Sequence, residues 1–559
     1  MTTETNPPNR FGNASKIIIY TIASILILAS AIFAYLFFVH VTNAGLTFTN
    51  PLQVPALLES TEQDGQKIFE LVPHQGETEF FAGQMSGTMG FNGSYLGPTM
   101  RFSKGDDVVI NVTNQLDTAT AVHWHGMHVP AEMDGTPHQM IPPGKTWQAK
   151  YPILNEAATM WYHPHPHGDT AEQVSAGLAG LIIIDDENSN SLNLPKTYGV
   201  DDIPLIVQDR LFDDEGGMIY QINNGSYYGN TMLVNGTVNP FIEVPAKQIR
   251  LRILNGSNGR IYNFGFDDNR TFHQIATDGG LLEAPVPLTR LKLATGERAE
   301  IVVDVSDGNE VIFKSYPQID WQAVGQYFAT NGGRHSHFDL LKIVPNLKHP
   351  DSSDLLIETL PQTLNTIERW SAADADNVRS FRLAGGLTDN AVATGLGPAF
   401  PINGSRMDMG RIDEVVMLND VEIWEITNAG GQPHPLHIHD IQFLILDRNG
   451  VPPSPSESGW KDTVLINNGE TVRFITQFTT YSNATIPYMY HCHILEHEDG
   501  GMMGQFVVAD PAAELNQTQS LASMGQEVAA LPLLPDNFFL QAAPYSCDTA
   551  NSSQLPSTE

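Results

Sequence analysis

Imidazole side chains crowd into four short segments of this chain: HWHGMH at 123–128, HPHPH at 163–167, HPLHIH at 434–439 and HCHILEH at 491–497. Nineteen histidines scattered at random over 559 residues would form about 0.6 His-x-His pairs, counted as matches to a template. The chain has six such pairs, and 12 of its 19 histidines lie in the four segments, a pattern that core packing does not produce. In a strand, residues i and i+2 project from the same face, so each pair presents two rings to one side and four pairs can surround several metal ions. Imidazole alone suits copper, zinc, iron and nickel. The segment HCHILEHEDGGMM narrows the choice. It sets Cys492 between His491 and His493, with His497 five residues beyond the cysteine and Met502 five beyond that. With a second imidazole from His434, this makes two histidines, one cysteine and a weak axial thioether, the ligand set of a blue-copper electron-transfer site. Cys492 then faces one way and its neighbours the other, so a single residue of covalent backbone joins two metal sites. His335-Ser336-His337, alone in a polar loop, reads as ordinary surface. His128 and His167 are surplus rings beside the ligand pairs, with outer-contact or solvent roles, and Cys547 is a free or adventitiously oxidised thiol.

The elements that must carry these residues are strands. Short runs alternating apolar and polar residues recur between turn signals, at Asp107 to Thr113, Leu181 to Ile184, Ile203 to Gln208, Ile249 to Leu254, Ala299 to Val305, Val421 to Ile426, Thr471 to Ile475 and Met503 to Val508. No strong amphipathic helix pattern interrupts them. Gly (47) and Pro (36) are plentiful while charged residues are only 16%, which favours turn-rich β architecture. The runs group into three β-sandwich domains at 66–190, 200–345 and 370–512, with a tail at 513–559 that contains no Lys or Arg. Ahead of them, Ile17 to Val39 is an uncharged apolar run of 23 residues, about 35 Å long as a helix and enough to cross a bilayer. Arg10 and Lys16 precede it, so residues 1–16 are expected in the cytoplasm and the body outside, on a single-pass anchor at 17–39 or after signal cleavage. The formal charge of −34 excludes a generic nucleic-acid binder. Two cysteines exclude a disulfide framework or a zinc module built on four cysteines.

Taken with GFNGSYLGPTMRF, IVQDRLF, LVNGT and LRILNGSNGRIYNFGF, the segments HWHG, WYHPHPHG, HPLHIH and HCHILEHEDGGMM make residues 66 to 510 resemble the multicopper oxidases, and in particular bacterial members such as copper-efflux cuprous oxidases and spore-coat-type laccases. The resemblance implies three cupredoxin-like Greek-key β-sandwich domains and four copper ions. It makes His434, Cys492, His497 and Met502 the type 1 ligands and gives the type 2 copper to His123 and His437. His125, His163, His165, His439, His491 and His493 then hold the type 3 pair. The implied chemistry is four one-electron oxidations at type 1 copper coupled to reduction of dioxygen to two waters, with the ring edge of His497 facing the donor. Four protons must accompany the electrons, and Asp134 and Glu498 match acidic positions that relay them in bacterial relatives.

The donor is less legible. A thioether axial ligand goes with a low-to-middle potential and easily oxidised donors, which favours laccase-type oxidation of phenols or aromatic amines. The alternative is a metallo-oxidase of Cu(I) or another reduced metal ion, although the methionine-rich insert of cuprous oxidases is missing and Met407, Met409 and Met417 read as core and loop residues. Copper nitrite reductases are shorter and lack the second histidine of His-Cys-His. A further class, a copper-free cupredoxin scaffold protein, is disfavoured because every ligand position is filled.

Overall fold

The computed structural model describes residues 47–317, 337–349, 359–384 and 400–512, Asn224 excepted, together with six positions between Tyr20 and Leu28. Most of the expected anchor 17–39, the first two histidine-loop residues His335 and Ser336, the tail 513–559 and Cys547 therefore lie outside the described residues. No helix among the described residues is long and apolar enough to cross a membrane.

The chain is mostly strand. The run expected at Asp107 to Thr113 forms a strand over those same residues, and the other alternating runs sit in strands such as Gly180–Asp185, Asp202–Phe212, Gln248–Asn255 and Thr471–Gln477. Three cores gather between pairs of sheets. The first includes Phe69, Val108, Ile110, Trp124, Tyr162 and Ile182; the second Ile203, Leu251, Phe264, Ile301, Phe313 and Leu341; the third Phe381, Trp424, Phe474, Tyr490, Cys492 and Phe506. Strands such as Val311–Ser315 alternate buried with part-exposed positions, whereas Ala158–Pro164 and Met503–Ala509 are buried along their whole length, covered on both faces.

Register places the histidines. In the first unit Val122–His125 pairs antiparallel with Ala158–Pro164, so that His123 lies opposite His163 and His125 opposite Trp161. In the third unit His434–Ile438 pairs antiparallel with Asn483–Cys492, which sets His437 opposite His491 and Leu436 opposite Cys492. The expectation that each His-x-His pair lies wholly within a strand holds for His123 and His125 only. His165, His439 and His493 fall just past their strand ends. Pro164 has no N–H to continue its ladder, and His165 instead donates its N–H to Ala121 O at 3.0 Å.

The first and third units are joined through a helix end. Thr170–Ala176 starts with its N–H groups unsatisfied, and Asp499 fills them, accepting from Thr170 N at 3.0 Å and from Ala171 N at 2.8 Å.

Candidate metal centre

The four segments converge on two buried sites. At the first, Cys492 Sγ lies 3.4 Å from His434 Nδ1 and 3.6 Å from His497 Nδ1, and those two nitrogens are 3.2 Å apart. His497 rides on the single turn Leu495–Asp499. Met502 is fully buried and held by backbone: it donates its N–H to His497 O at 2.9 Å and accepts from Cys492 N at 3.0 Å. Burial pushes the Cys492 thiol well above its ordinary pKa. Without metal this sulfur keeps its proton, and a metal must displace it to bind.

At the second site the ring nitrogens of His123, His125 and His163, of His165, His439 and His491, and of His123, His437 and His439 form groups whose members all lie within 4.8 Å of one another. His493 packs against His125 and His163, with ring centroids 5.0 and 5.5 Å away. The hydrogen bonds fix the tautomers. His123 donates from Nδ1 to Asp134 O (2.9 Å), His163 to Pro164 O (2.8 Å), His437 to Asp462 O (2.9 Å), His439 to Asp134 Oδ2 (2.8 Å) and His491 to Cys492 O (3.2 Å), with Glu498 Oε2 3.0 Å from the same His491 nitrogen. Acceptors without a hydrogen oblige Nδ1 to carry one, which leaves a lone pair on each Nε2. Those lone pairs converge: Nε2 of His437 is 3.4 Å from that of His123, and Nε2 of His491 is 3.3 Å from that of His165 and 3.2 Å from that of His439. Facing lone pairs repel unless a cation sits among them. His163 Nε2, His125 Nδ1 and both nitrogens of His493 have no hydrogen-bond partner although buried. Neutral imidazoles with orphaned nitrogens beside a two-histidine, one-thiol site are a donor set that fits copper.

Burial also lowers the pKa of these rings. His125, His163, His437 and His439 are held well below the ordinary imidazole value, and His165 and His493 fall to about 3, with neighbouring imidazoles acting in the same direction. The unfolded chain binds these protons near pH 6.5 while the fold refuses them. Stability of the metal-free chain is therefore present above that pH and is lost progressively as pH falls toward about 3. The metal-free protein is expected to melt at a markedly lower temperature at pH 5 than at pH 7.5, with copper loading suppressing most of the difference. Calorimetry showing the same melting temperature at both pH values without metal would contradict this.

Both expected carboxylates are in place. Asp134 is fully buried against His123 and His439, and Glu498 is buried between His491 (3.0 Å) and His165 (3.5 Å). Burial works to raise the Glu498 pKa, but the His491 and His165 rings outweigh it and hold the group well below the usual carboxylate range. His128 stands apart, buried on Asp440, and His167 is exposed.

Several neighbours are not evident from spacing. Asp462 accepts from His125 Nε2 at 3.0 Å and is gripped by Arg298. Trp161 lies over His163, centroids 4.1 Å apart. Around His497, Phe400 stacks on the ring at 4.0 Å, while the Gln432 amide and Ser226 Oγ approach Nε2 at 2.9 and 3.3 Å. With Nδ1 turned to the cysteine, Nε2 carries the hydrogen, so the Gln432 amide must present its oxygen. The Lys-Asp-Thr run at 461–463 is the only local signal that could have pointed to Asp462.

A mostly-β chain carrying a thiol-imidazole site one residue from a cluster of eight imidazoles defines a copper redox protein in class. Residues 74–189 and 375–512 match the multicopper oxidase family. Over 476 residues the chain is 37% identical to Multicopper oxidase mco of Staphylococcus haemolyticus (strain JCSC1435), covering 82% of this chain and 93% of that one. It is also 36% identical over 460 residues to the Cell division protein FtsP of Dickeya dadantii (strain 3937), covering 82% and 92%. Among solved structures, the laccase-like multi-copper oxidase CueO from Ochrobactrum sp., described with oxidase activity towards lignin model compounds and lignosulfonate, superposes with a TM-score of 0.73 at 36% identity, covering 82% of this chain and all of that one. The chain belongs to the multicopper oxidase family, whose members are copper-dependent oxidoreductases.

Proposed function

We propose that this protein is a laccase-like multicopper oxidase that takes single electrons from phenolic or aromatic amine donors and reduces dioxygen to two waters. The observation that carries the reading is the donor set: His434, Cys492 and His497 gather at one site and His123, His125, His163, His165, His437, His439 and His491 at a second, with the His493 ring packed against His125 and His163. The similarity to FtsP keeps the scaffold alternative in view, and the orphaned imidazole nitrogens of His125, His163 and His493 speak against it. In this reading His434, Cys492 and His497, with Met502 buried beside them, would hold type 1 copper; His123 and His437 would hold type 2; His125, His163, His165, His439, His491 and His493 would hold the type 3 pair. Copper supplies one-electron oxidation at the first site and four-electron dioxygen reduction at the second. Cys492 and its neighbours His491 and His493 give the shortest covalent route between the two. Asp134 and Glu498 are the buried carboxylates placed beside His439 and His491 through which protons would pass to the cluster. The three units are cupredoxin-type sandwiches, and the apolar run at 17–39 anchors the body on the extracytoplasmic face of the membrane.

The closed edge of His497 favours a second reading. Gln432, Ser226 and Phe400 cover the atom a donor would approach, which suits a small donor such as Cu(I) better than a ring. Dioxygen uptake by the copper-loaded protein, measured in parallel with a simple phenol and with Cu(I), separates the two. The variant Gln432→Ala sharpens the comparison. One hydrogen bond to Nε2 is worth about 1 kcal/mol, so opening the edge is expected to raise kcat/KM for a bulky phenol about fivefold and leave that for Cu(I) unchanged. Faster uptake with Cu(I) than with phenol in both proteins would replace the laccase reading by the metallo-oxidase one, and no uptake with either would favour the scaffold.

A further inference from the structure

Five of the eight cluster histidines, His123, His163, His437, His439 and His491, engage Nδ1 and leave Nε2 to offer, and His125 does the reverse. Its Nε2 is tied at 3.0 Å to Asp462 Oδ1, and its Nδ1 is left without a partner. For His125 to offer Nδ1, an acceptor must stand beyond the far end of its ring and must not turn away. Asp462 is that acceptor, and what holds it comes from the middle unit, which supplies no ring to the cluster.

Arg298 opens the strand Arg298–Asp304 and is completely buried. All five N–H groups of its guanidinium are engaged. Nε donates to Thr159 O at 2.9 Å; Nη1 donates to Gly296 O at 3.1 Å and Asp462 Oδ1 at 2.7 Å; Nη2 donates to Asp278 O at 3.0 Å and Asp462 Oδ2 at 2.6 Å. A planar fork with every donor satisfied has no alternative orientation, and its two-pronged hold removes the rotational freedom of the carboxylate. Thr463 Oγ1 adds a hydrogen bond to Oδ1 at 2.9 Å. The HWHG turn leaves room for this arrangement: Gly126 has φ +90°, and a Cβ there would fall 2.6 Å from Asp462 Oδ2 and 2.7 Å from Arg298 Nη2. Asp462 also lies within ligand distance of His125 and His437. Since both its oxygens are already faced by the guanidinium, it acts as an outer partner of the rings and not as a ligand.

We propose that Arg298 is a positioning residue for the trinuclear site: by fixing Asp462 it sets the tautomer of His125, so that the middle unit controls metal capture by a cluster built from the other two. The inference rests on the trinuclear reading above. It concerns only how the rings are held, and it leaves the type 1 site, whose residues Arg298 does not touch, out of its reach.

The test uses the full chain in three forms, wild type, Arg298→Lys and Asp462→Asn, each loaded with copper and desalted. The readouts are copper per chain, blue absorbance, type 2 electron paramagnetic resonance and melting temperature before loading. Lysine keeps the charge but loses the fork. Asparagine keeps the shape, but its NH2 must face either the guanidinium or His125, and the latter favours the wrong tautomer. Loss of an outer partner costs about 10- to 100-fold in metal affinity, so both variants are expected to keep blue absorbance while the type 2 signal and most of the trinuclear copper disappear. Full trinuclear copper in both variants would overturn the proposal. So would parallel loss of blue and trinuclear copper together with a collapsed melting temperature, since that would reduce Arg298 to a purely structural role. If wild type itself binds blue copper but no type 2 or type 3 copper, the trinuclear reading fails first.

Discussion

Replacing Cys492 by serine is expected to bleach the loaded protein and to lower oxidase turnover by at least about a thousandfold, because an acting unit fails when one essential member is removed. The substitution exchanges one buried sulfur for a smaller oxygen at a position with no solvent exposure. It leaves the backbone bonds from Met502 and toward His497 in place, so the fold should survive. An alcohol has neither the softness nor the acidity to take the place of a thiolate between His434 and His497. The measurement is a visible spectrum and dioxygen uptake on the same sample, with circular dichroism to verify folding. Turnover retained in a folded, colourless variant would remove Cys492 from the electron path and with it the type 1 assignment.

The second large effect concerns proton supply. Asp134 Oδ2 accepts from His439 Nδ1, and Asp134 O accepts from His123 Nδ1. Its other carboxylate oxygen, Oδ1, is buried, lies 3.3 Å from the same His123 nitrogen and has no hydrogen-bond donor of its own. That oxygen is where a proton can be held beside the cluster. Asp134→Asn removes the site and sets an amide against His439. Dioxygen reduction is expected to slow by about 10- to 100-fold, while reduction of the blue site by donor is unchanged. Stopped-flow mixing separates the halves: anaerobic donor first, then reoxidation by dioxygen. If only the donor half slows, Asp134 is not a proton relay.

Much of the architecture is legible because two periodicities are strong. The apolar run of Asp107–Thr113 marks a strand even though Val109 is buried between Val108 and Ile110, and the His-x-His pairs stand far above chance. Local chemistry also marks the one-residue step from Cys492 to His491 and His493. The rest depends on packing between distant segments. Arg298 meets Asp462 across 164 positions, and His125 meets Asp462 across 337. Nothing in RAEIVVD distinguishes a buried clamp from an ordinary strand start. Gln432 and Ser226 reach His497 from separate units, and their identities announce no such role. The tidy picture of paired histidines within strands failed at His165, His439 and His493 because strands end where a proline or a turn removes the ladder, and the site uses those ends.

The division of the cluster between chain segments also sets an order of events during synthesis. HWHGMH and HPHPH are complete long before HPLHIH is made. At about 5–20 residues per second the interval between His165 and His434 is roughly 15 to 50 s. For that time the first unit carries four cluster imidazoles with none of their partners, an open chelator whose preference is set by whichever divalent ion is abundant. If the cluster holds copper as proposed, its metal selectivity depends on timing and compartment as well as on ligand geometry.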